Sequence, residues 1–360
     1  MKTTIQSNRS GIALIIVLIV VVVLGMLAIG FGSAMKVETT LARHASFNSE
    51  LDWLGRSGVE VAKWILSVES TGKAGTADSL KSYWAGGVGE SNGPLVELTW
   101  PMKIGNGEIS RPKIIDLDRK LNINRADQRT IEQALTLIGV DAGSMTTIVN
   151  SILDWRDPDS NPRISGTESA VYEQADPPYF AKDGPIDDLS ELLLIRGVTP
   201  AMYWGASGGG LPAIFNRPQP GLKSNFEEPT YEVGMVDLFT PLSGPGINVN
   251  TASATVLQLI PWVDVNTAPL LMQERNGFDG QEGTEDDTPY PSVDAFFAKL
   301  MTIAPIPPDA LQQYRGLFST KSLIFQVEVT ASIGSTKRDY VAILRRVGPK
   351  ETVVLNLYWR

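Results

Sequence analysis

The sequence predicts an α+β protein with one long N-terminal helix, a small antiparallel sheet and a large, mainly helical insertion. Three observations carry this prediction. An uncharged apolar run passes without a proline into an amphipathic stretch, strand-like alternation occurs in residues 95–118 and again in 321–360, and residues 119–320 repeat polar caps, Leu-rich helices and turns. Strands so far apart in the chain require that the segment between them is an insertion.

The apolar run at residues 12–34 predicts the first element, a helix that crosses a membrane. It contains no charged side chain, and about 20 such residues cross the core of a bilayer as a helix. Lys2 and Arg9 precede the run, which favours a cytoplasmic N-terminus with the bulk of the chain outside. A cleaved secretory signal ending at "FGSA" is the alternative. Apolar residues spaced by three and four across residues 37–67 predict that the same helix ends buried in a soluble domain.

The sheet is predicted from segments on both sides of the insertion. "LVELTWPMKI" and "PKIIDLD" predict its first strands, and the alternation from Phe325 to Ser332 predicts a later one. A turn at "GSTK" then leads into "DYVAILRR" and "TVVLNLYW", which predict the closing strands. We expect all of these strands to pack on the long helix.

The insertion is predicted to contain repeated helix–turn–helix units. Residues 121–157 predict two helices with a break at Gly139–Gly143, the first capped by Asn124 or Asp127. The stretches "DDLSELLLIRGVTPAMY" and "INVNTASATVLQLIPWVDVNTAPLLMQER" repeat this scheme. Residues 205–246 are rich in Gly, Pro and Ser and predict an irregular loop.

Composition restricts the chemistry that the chain can perform. It has no cysteine, which excludes a thiol nucleophile, a disulfide framework and a Cys-type zinc site. Its one histidine, His44, would have to serve any Ser-His-Asp triad or His-based zinc site, and its simpler interpretation is a solvated helix position. The formal net charge of −9 argues against general nucleic-acid binding. We therefore expect a protein that is not an enzyme.

One acidic segment has the spacing of a calcium loop. In "DPDSNPRISGTE", Asp157, Asp159 and Asn161 stand at positions 1, 3 and 5, and Glu168 stands at position 12. The glycine that an EF-hand needs at position 6 is replaced by Pro162, so this segment is not an EF-hand. It is a candidate calcium site. The alternative is that the two aspartates are turn and cap residues and that Glu168 is solvated.

A second acidic cluster lies in "DGQEGTEDD". It contains five carboxylates interleaved with glycines, which suit either a calcium loop or a hydrated, mobile surface loop: Asp279, Glu282, Glu285, Asp286 and Asp287. We prefer the surface loop. A paired-carboxylate hydrolase is a third interpretation, which is disfavoured because no aromatic sugar-binding cleft can be placed beside the cluster.

The N-terminal pattern resembles type IV pilins and pseudopilins: a short polar leader that ends in glycine, then an apolar segment that runs into an amphipathic helix. The resemblance implies that residues 1–11 are a leader, that prepilin peptidase cuts after Gly11, and that Ile12 becomes the first, methylated residue. Most pilins carry Glu at mature position 5, where this chain has Ile16. In lacking this glutamate, the chain resembles the minor pseudopilin K family of type II secretion systems. "LNINRA", "INVNTA", "LLLIRGVTP", "DWRDPDSNPR" and "PPYFAKDGPIDDLSEL" extend the resemblance across the insertion.

The resemblance implies a pilin-like domain, formed by residues 35–118 and 321–360, with an insertion of helix-hairpin-helix or SAM-like repeats at 119–320. It implies a single-pass inner-membrane protein with a cytoplasmic N-terminus and a periplasmic head, located at the pseudopilus tip when assembled. Its implied role is to prime pseudopilus assembly with minor pseudopilins I and J and to support secretion across the outer membrane. The major pseudopilin, prepilin peptidase and the inner-membrane assembly platform are the other implied partners. Members of this family bind calcium in the insertion, which favours calcium at Asp157, Asp159, Asn161 and Glu168.

A second resemblance leaves one alternative open. "INVNTASATVLQLIP" is similar to the helix-hairpin-helix modules of membrane-tethered DNA receptors, whose Gly-rich hairpins meet phosphate. Here the hairpin reads "IPWVDV", with an aspartate and no glycine, and its surroundings are acidic. We therefore expect no nucleic-acid partner.

Overall fold

A computed structural model of the chain describes residues 10–71, 77–89, 93–208, 231–304 and 306–360, and it confirms the α+β fold class. The strands are β1 Met102–Ile104, β2 Gly107–Ile109, β3 Lys113–Asp116, β4 Leu121–Asn122, β5 Phe239–Thr240, β6 Ile247–Asn248, β7 Phe318–Ser319, β8 Ile324–Ile333, β9 Thr336–Gly348 and β10 Glu351–Trp359. The α-helices are α1 Ser10–Thr71, α2 Gln128–Ile138, α3 Ala142–Arg156, α4 Ser169–Tyr172, α5 Pro200–Trp204, α6 Met235–Leu238, α7 Ala254–Leu257, α8 Thr267–Arg275, α9 Val293–Ile303 and α10 Pro308–Gln312.

Helix α1 is a single element of 62 residues, or about 90 Å at 1.5 Å per residue. Its segment Leu14–Thr39 has a mean hydropathy of 3.3, and none of its most apolar window is buried within the chain. In the described part of the chain, this is the one helix long and apolar enough to cross a membrane. Most of the predicted leader, residues 1–9, lies outside the described residues.

The second half of α1 packs against the sheet. Burial of the predicted apolar stripe begins at Leu51, because the sheet first covers the helix there, whereas Leu41 is 63% exposed. The packing is close: a Cβ at Gly58 would lie 2.4 Å from a methyl group of Val329. A Cβ at Gly55 would lie 2.5 Å from the ring of Tyr340. Glycine at these two positions lets helix and sheet approach each other.

The sheet has six strands in the order β1-β2-β8-β9-β10, with β3 also paired to β8. All of these pairs are antiparallel. The predicted strands of the C-terminal region are confirmed. Gly334, with a φ of +58°, occupies the predicted turn between β8 and β9, where a left-handed residue is required.

One strand prediction is wrong in part. The segment "LVELTW" forms turns rather than a strand, and β1 begins only at Met102. Pro94 and Pro101 flank the segment and lack the N–H that a ladder needs. Leu95 is buried in the core beside α1, which accounts for the apolar pattern without a strand.

The insertion forms a hydrophobic core of its own, separate from the core between α1 and the sheet. Asp127 caps α2 by accepting a hydrogen bond from Thr130 N at 2.8 Å, as predicted. The alternative cap, Asn124, instead exchanges two hydrogen bonds with the backbone of Ile186. The break after α2 is shorter than expected, because Asp141 caps α3 and Gly143 already belongs to that helix.

The insertion contains two copies of one structural unit. In the first, β4 pairs in parallel with β5, and in the second, β6 pairs in parallel with β7. Asn122 and Asn248 occupy the same place, and each accepts a hydrogen bond from the backbone N–H two residues later. The side-chain amide of Asn124 donates a hydrogen bond to the carbonyl of Ile186 and accepts one from its N–H. The side-chain amide of Asn250 makes the same two hydrogen bonds with the backbone of Tyr290.

In each unit, an arginine at the end of a helix donates hydrogen bonds to backbone carbonyls that follow the first strand of the unit. Arg156, at the end of α3, donates to the carbonyls of Ile123 and Ala126. Arg275, at the end of α8, donates to the carbonyls of Val249 and Ala252 at 2.7 and 2.8 Å. Each acidic segment follows the arginine of its own unit, so the two acidic loops occupy equivalent places.

The prediction of an irregular loop over residues 205–246 is partly wrong. Residues 209–230 lie outside the described residues. Beyond them, helix α6 and strand β5 are formed. Strand β5 exists because β4 pairs with it, and composition does not reveal such a two-residue tertiary pairing.

Candidate functional site

The structure brings the three predicted carboxylates together. Asp157 follows α3, Asp159 lies in the loop, and Glu168 immediately precedes α4. Carboxylate oxygens of Asp157, Asp159 and Glu168 all lie within 4.8 Å of one another. Within the described residues, this is the one group of at least three His or acidic side chains with metal-ligand spacing.

Four buried carboxylate oxygens at this site lack hydrogen-bond partners. Glu168 is 5% exposed, yet neither of its buried oxygens receives a hydrogen bond. The same holds for Oδ1 of Asp157 and for Oδ1 of Asp183. Buried carboxylate oxygens without donors are costly, and several facing one another add charge repulsion. A bound cation removes both penalties.

Asp183 is the acidic residue that the sequence analysis missed. After burial, its charge is the largest contribution that raises the pKa of Glu168. It lies beyond the twelve-residue spacing, after a loop that returns the chain to α3, where Gly184 N donates to the carbonyl of Trp155 at 3.3 Å. Its positive φ of 49° marks the turn that presents it. No spacing rule would have found it.

The electrostatics of the cluster match this geometry. Burial, together with the charges of Asp183, Asp154 and Asp157, raises the pKa of Glu168 to about 7. Hydrogen bonds donated by the backbone and side-chain amides of Asn161, at 2.9 and 3.0 Å, lower the pKa of Asp159. Asn161 therefore lies beside the cluster, and its role as a ligand stays a prediction.

Buried Asp154 shapes the loop that carries the cluster. Its carboxylate accepts hydrogen bonds from the backbone of Arg163 and Thr167 and from the Arg163 guanidinium, the last two at 2.8 and 2.7 Å. A Cβ at Gly166 would lie 1.9 Å from Oδ2 of Asp154, so only glycine fits there. Arg163 also pairs with Oδ2 of Asp157, which leaves Oδ1 of Asp157 to face the cluster.

The donor set fits a hard cation. It consists of carboxylate oxygens alone, which are the ligands of Ca²⁺ and Mg²⁺ rather than of zinc or copper. Calcium takes six to eight oxygens in flexible geometry and tolerates an irregular loop. An octahedral magnesium site usually keeps several waters and only one or two carboxylates. The cluster therefore fits calcium better than magnesium.

The second acidic cluster differs because most of its carboxylates already accept hydrogen bonds or pair with an arginine. Asp286 accepts hydrogen bonds from the backbone of Phe278 and Asp279, and Asp287 accepts one from Gly283 N at 2.8 Å. Thr284 Oγ1, which has one proton to donate, lies within hydrogen-bond distance of Asp279, Asp286 and Asp287. Glu282 pairs with Arg275, and Lys81 donates to the backbone carbonyls of Glu285 and Asp287. These contacts tie the loop to Lys81, which lies between α1 and β1. The preference for a hydrated, mobile surface loop stays a prediction.

The predicted processing site lies at the start of α1. Gly11 and Ile12 belong to the helix, and their side chains, like that of His44, are outside the described set. Ile16 is 56% exposed within the apolar segment. Around it the described residues provide no covering element, because the apolar window is not buried within the chain.

Comparison with known proteins agrees with the sequence resemblance. A family model described as "Type II secretion system (T2SS), protein K" matches residues 113–205, which include the whole candidate metal cluster. The chain is 22% identical over 214 residues to the putative type II secretion system protein K of Escherichia coli strain K12, covering 55% of this chain and 61% of that protein. The chain is thus similar to type II secretion system protein K, in agreement with the resemblance seen in its sequence.

Two further matches agree with this similarity. The type II secretion system protein K of Klebsiella pneumoniae is 26% identical over 113 residues, which cover 28% of this chain and 34% of that protein. These alignments thus span less than two thirds of either relative. A chain of the crystal structure of the GspK-GspI-GspJ complex from the enterotoxigenic E. coli type 2 secretion system matches with a TM-score of 0.60 and 17% identity, covering 89% of this chain and 99% of that one. At this identity the match shows the fold.

Proposed function

We propose that this chain is a minor pseudopilin located at the tip of a type II secretion pseudopilus. The observation that carries the proposal is the division of α1. One half is apolar and exposed along its length, while the other half forms part of the core of the head, without any break between them. An exposed apolar surface of this length needs a membrane before assembly and other helices after it.

The proposed tip position follows from two features. In ordinary pilins, the glutamate at mature position 5 neutralises the N-terminal amine of the neighbouring subunit above. A tip subunit has no such neighbour, which is consistent with Ile16 at this position. The insertion, with its own core, is also too bulky to repeat along a filament but fits at its end.

The proposed partners are minor pseudopilins I and J, with which the chain would prime assembly of the major pseudopilin. The related E. coli structure is named as a complex of three such subunits. The test is co-expression of the full chain with the I-like and J-like subunits from the same genome, followed by detergent extraction and affinity purification. We expect a complex of all three. Purification of this chain without either partner would contradict the proposal.

We further propose that calcium is bound by Asp157, Asp159, Glu168 and Asp183. The ion would neutralise the facing carboxylates and tie the loop after α3 to the turn that carries Asp183. Its role would be structural. Support comes from the orphaned oxygens of the cluster and from its all-oxygen donor set.

A further inference from the structure

Strand β10 forms a long free edge of the sheet. It spans nine residues, whereas an average strand has about five or six. It pairs with β9 on one side, and no strand in the described part of the chain pairs with its other side. In an antiparallel pair, backbone N–H and C=O groups point alternately toward and away from the partner. About half of the polar backbone groups of β10 therefore point to the open side.

This edge has one of the features that usually protect one, a bulge, and lacks the others. Natural edge strands are blunted by lysine, proline, inward charges, bulges or a covering element. Between Glu351 and Trp359, the strand has a single charged residue, Glu351, and no proline. A bulge interrupts the register near Leu355, and the side chain there is apolar and 53% exposed. The other exposed apolar side chains of the strand are Val353, Tyr358 and Trp359.

Charge adds a second feature to the same surface. Residues 336–360 carry six basic and two acidic side chains in a chain whose net charge is −9. Three of the arginines are paired with acidic residues of the head. Arg345 and Lys350 are exposed at the end of β10 that begins with Glu351, and the described residues offer them no ion-pair partner. An occupant with acidic residues at this end would be complementary.

The direction of α1 argues against a second copy of this chain as the occupant. Near the start of its packed half, Asn48 and Asp52 contact Arg338, and near its end Glu69 interacts with Arg346, so α1 and β9 run in the same direction. A two-fold axis perpendicular to the sheet, which would continue it by antiparallel pairing of two β10 strands, would reverse α1 in one copy. Two copies held in one membrane by the N-terminal helix cannot adopt that arrangement.

We propose that the free edge of β10 receives an extended strand from a different subunit of the assembly. The strand would present apolar side chains toward Leu355 and Tyr358 and acidic residues toward Arg345 and Lys350. Main-chain hydrogen bonds would supply affinity, and the side chains would supply the register. This inference rests on the proposed function, because it requires a neighbouring pilin-like subunit that stands parallel to this one.

The test uses the full chain in detergent with the I-like and J-like subunits. Val353→Lys combined with Leu355→Lys places charge on the edge without touching a buried residue. Phe278→Lys, at a fully exposed apolar position in the insertion, is the matched control. We expect the edge variant to weaken binding of one partner about tenfold, and the control to leave it unchanged. Arg345→Glu should weaken the binding of the same partner.

Amide hydrogen exchange on the unmodified chain provides a second readout that does not depend on how the variants fold. Amides of β10 that point away from β9 should exchange fast in the free chain and slow down at least about tenfold in the complex. Equal binding by the edge variant, or unchanged exchange in β10 of an intact complex, would overturn the strand pairing alone. Failure of the unmodified chain to bind either partner would overturn the proposed function together with this inference.

Discussion

Replacing Glu168 with glutamine tests the metal cluster most sharply, because its effect should change sign with calcium. The substitution keeps the shape of the side chain and removes one charge from the group of Asp157, Asp159 and Glu168, on which Asp183 also acts. Without a cation, the negative charge of Glu168 opposes folding, since its pKa rises from an ordinary value of 4.5 to about 7. At alkaline pH, this difference corresponds to about 3 kcal/mol of lost stability.

The sign of the pH dependence follows from the same shift. A carboxyl group whose pKa is higher in the folded state favours folding when it is protonated. The chelated wild-type chain should therefore lose stability as the pH rises from about 4.5 through about 7, and Glu168→Gln should lose less. At pH 8 with chelator, the variant should melt about 4 °C higher than the wild type if the chain unfolds as one unit.

Calcium should reverse this order. At a free concentration a thousand times its dissociation constant, a ligand stabilises the folded chain by about 4.1 kcal/mol, which exceeds the advantage of about 3 kcal/mol that the variant has without calcium. The glutamine variant has lost a charged ligand and should gain much less. The assay is thermal unfolding of the full chain in detergent, followed by tryptophan fluorescence, with EGTA or with excess calcium. A variant that melts below the wild type by the same amount in both conditions would refute this reasoning.

Three further substitutions test separate contacts. Asp183→Asn should also reduce the shift in melting temperature caused by calcium, and an unchanged shift would remove Asp183 from the site. Gly166→Ala forces a Cβ against Asp154 and should cost about 1–3 kcal/mol, whereas Gly316→Ala, which meets open space, is its control. Equal melting temperatures for these two alanine variants would contradict the tight-loop account. Gly11→Trp should leave an uncut precursor by mass spectrometry, and a mature chain of normal mass would refute processing by prepilin peptidase.

The sequence predicts those parts of the fold in which a pattern of apolar residues continues over many positions. The apolar run and the stripe beyond it predict α1 as a single helix, and ten residues of alternation predict β8. The prediction fails at "LVELTW", because buried Leu95 and two prolines imitate a strand without its ladder. It also misses β4 to β7, since each has two residues and is formed only because another segment pairs with it.

The candidate site was predicted to a similar extent. The spacing of Asp157, Asp159 and Glu168 was enough to nominate them, and the structure brings them together. Asp183 could not be predicted, because no pattern in the sequence shows that its loop returns to the cluster. The similar motifs "LNIN" and "INVN", which end in Asn124 and Asn250, already indicate in the sequence that these two residues are equivalent. That both asparagines bracket a distant backbone segment becomes visible only in three dimensions.

The position of the chain in the filament is the most direct test of its proposed role. The chain has no cysteine, so Phe278→Cys creates a single exposed site for a maleimide–gold label. Pseudopili isolated from secretion-competent cells would be labelled and viewed by electron microscopy, with the cysteine-free chain as the control. A tip subunit predicts one gold particle at one end of each filament. Particles repeated along the filament would contradict the account.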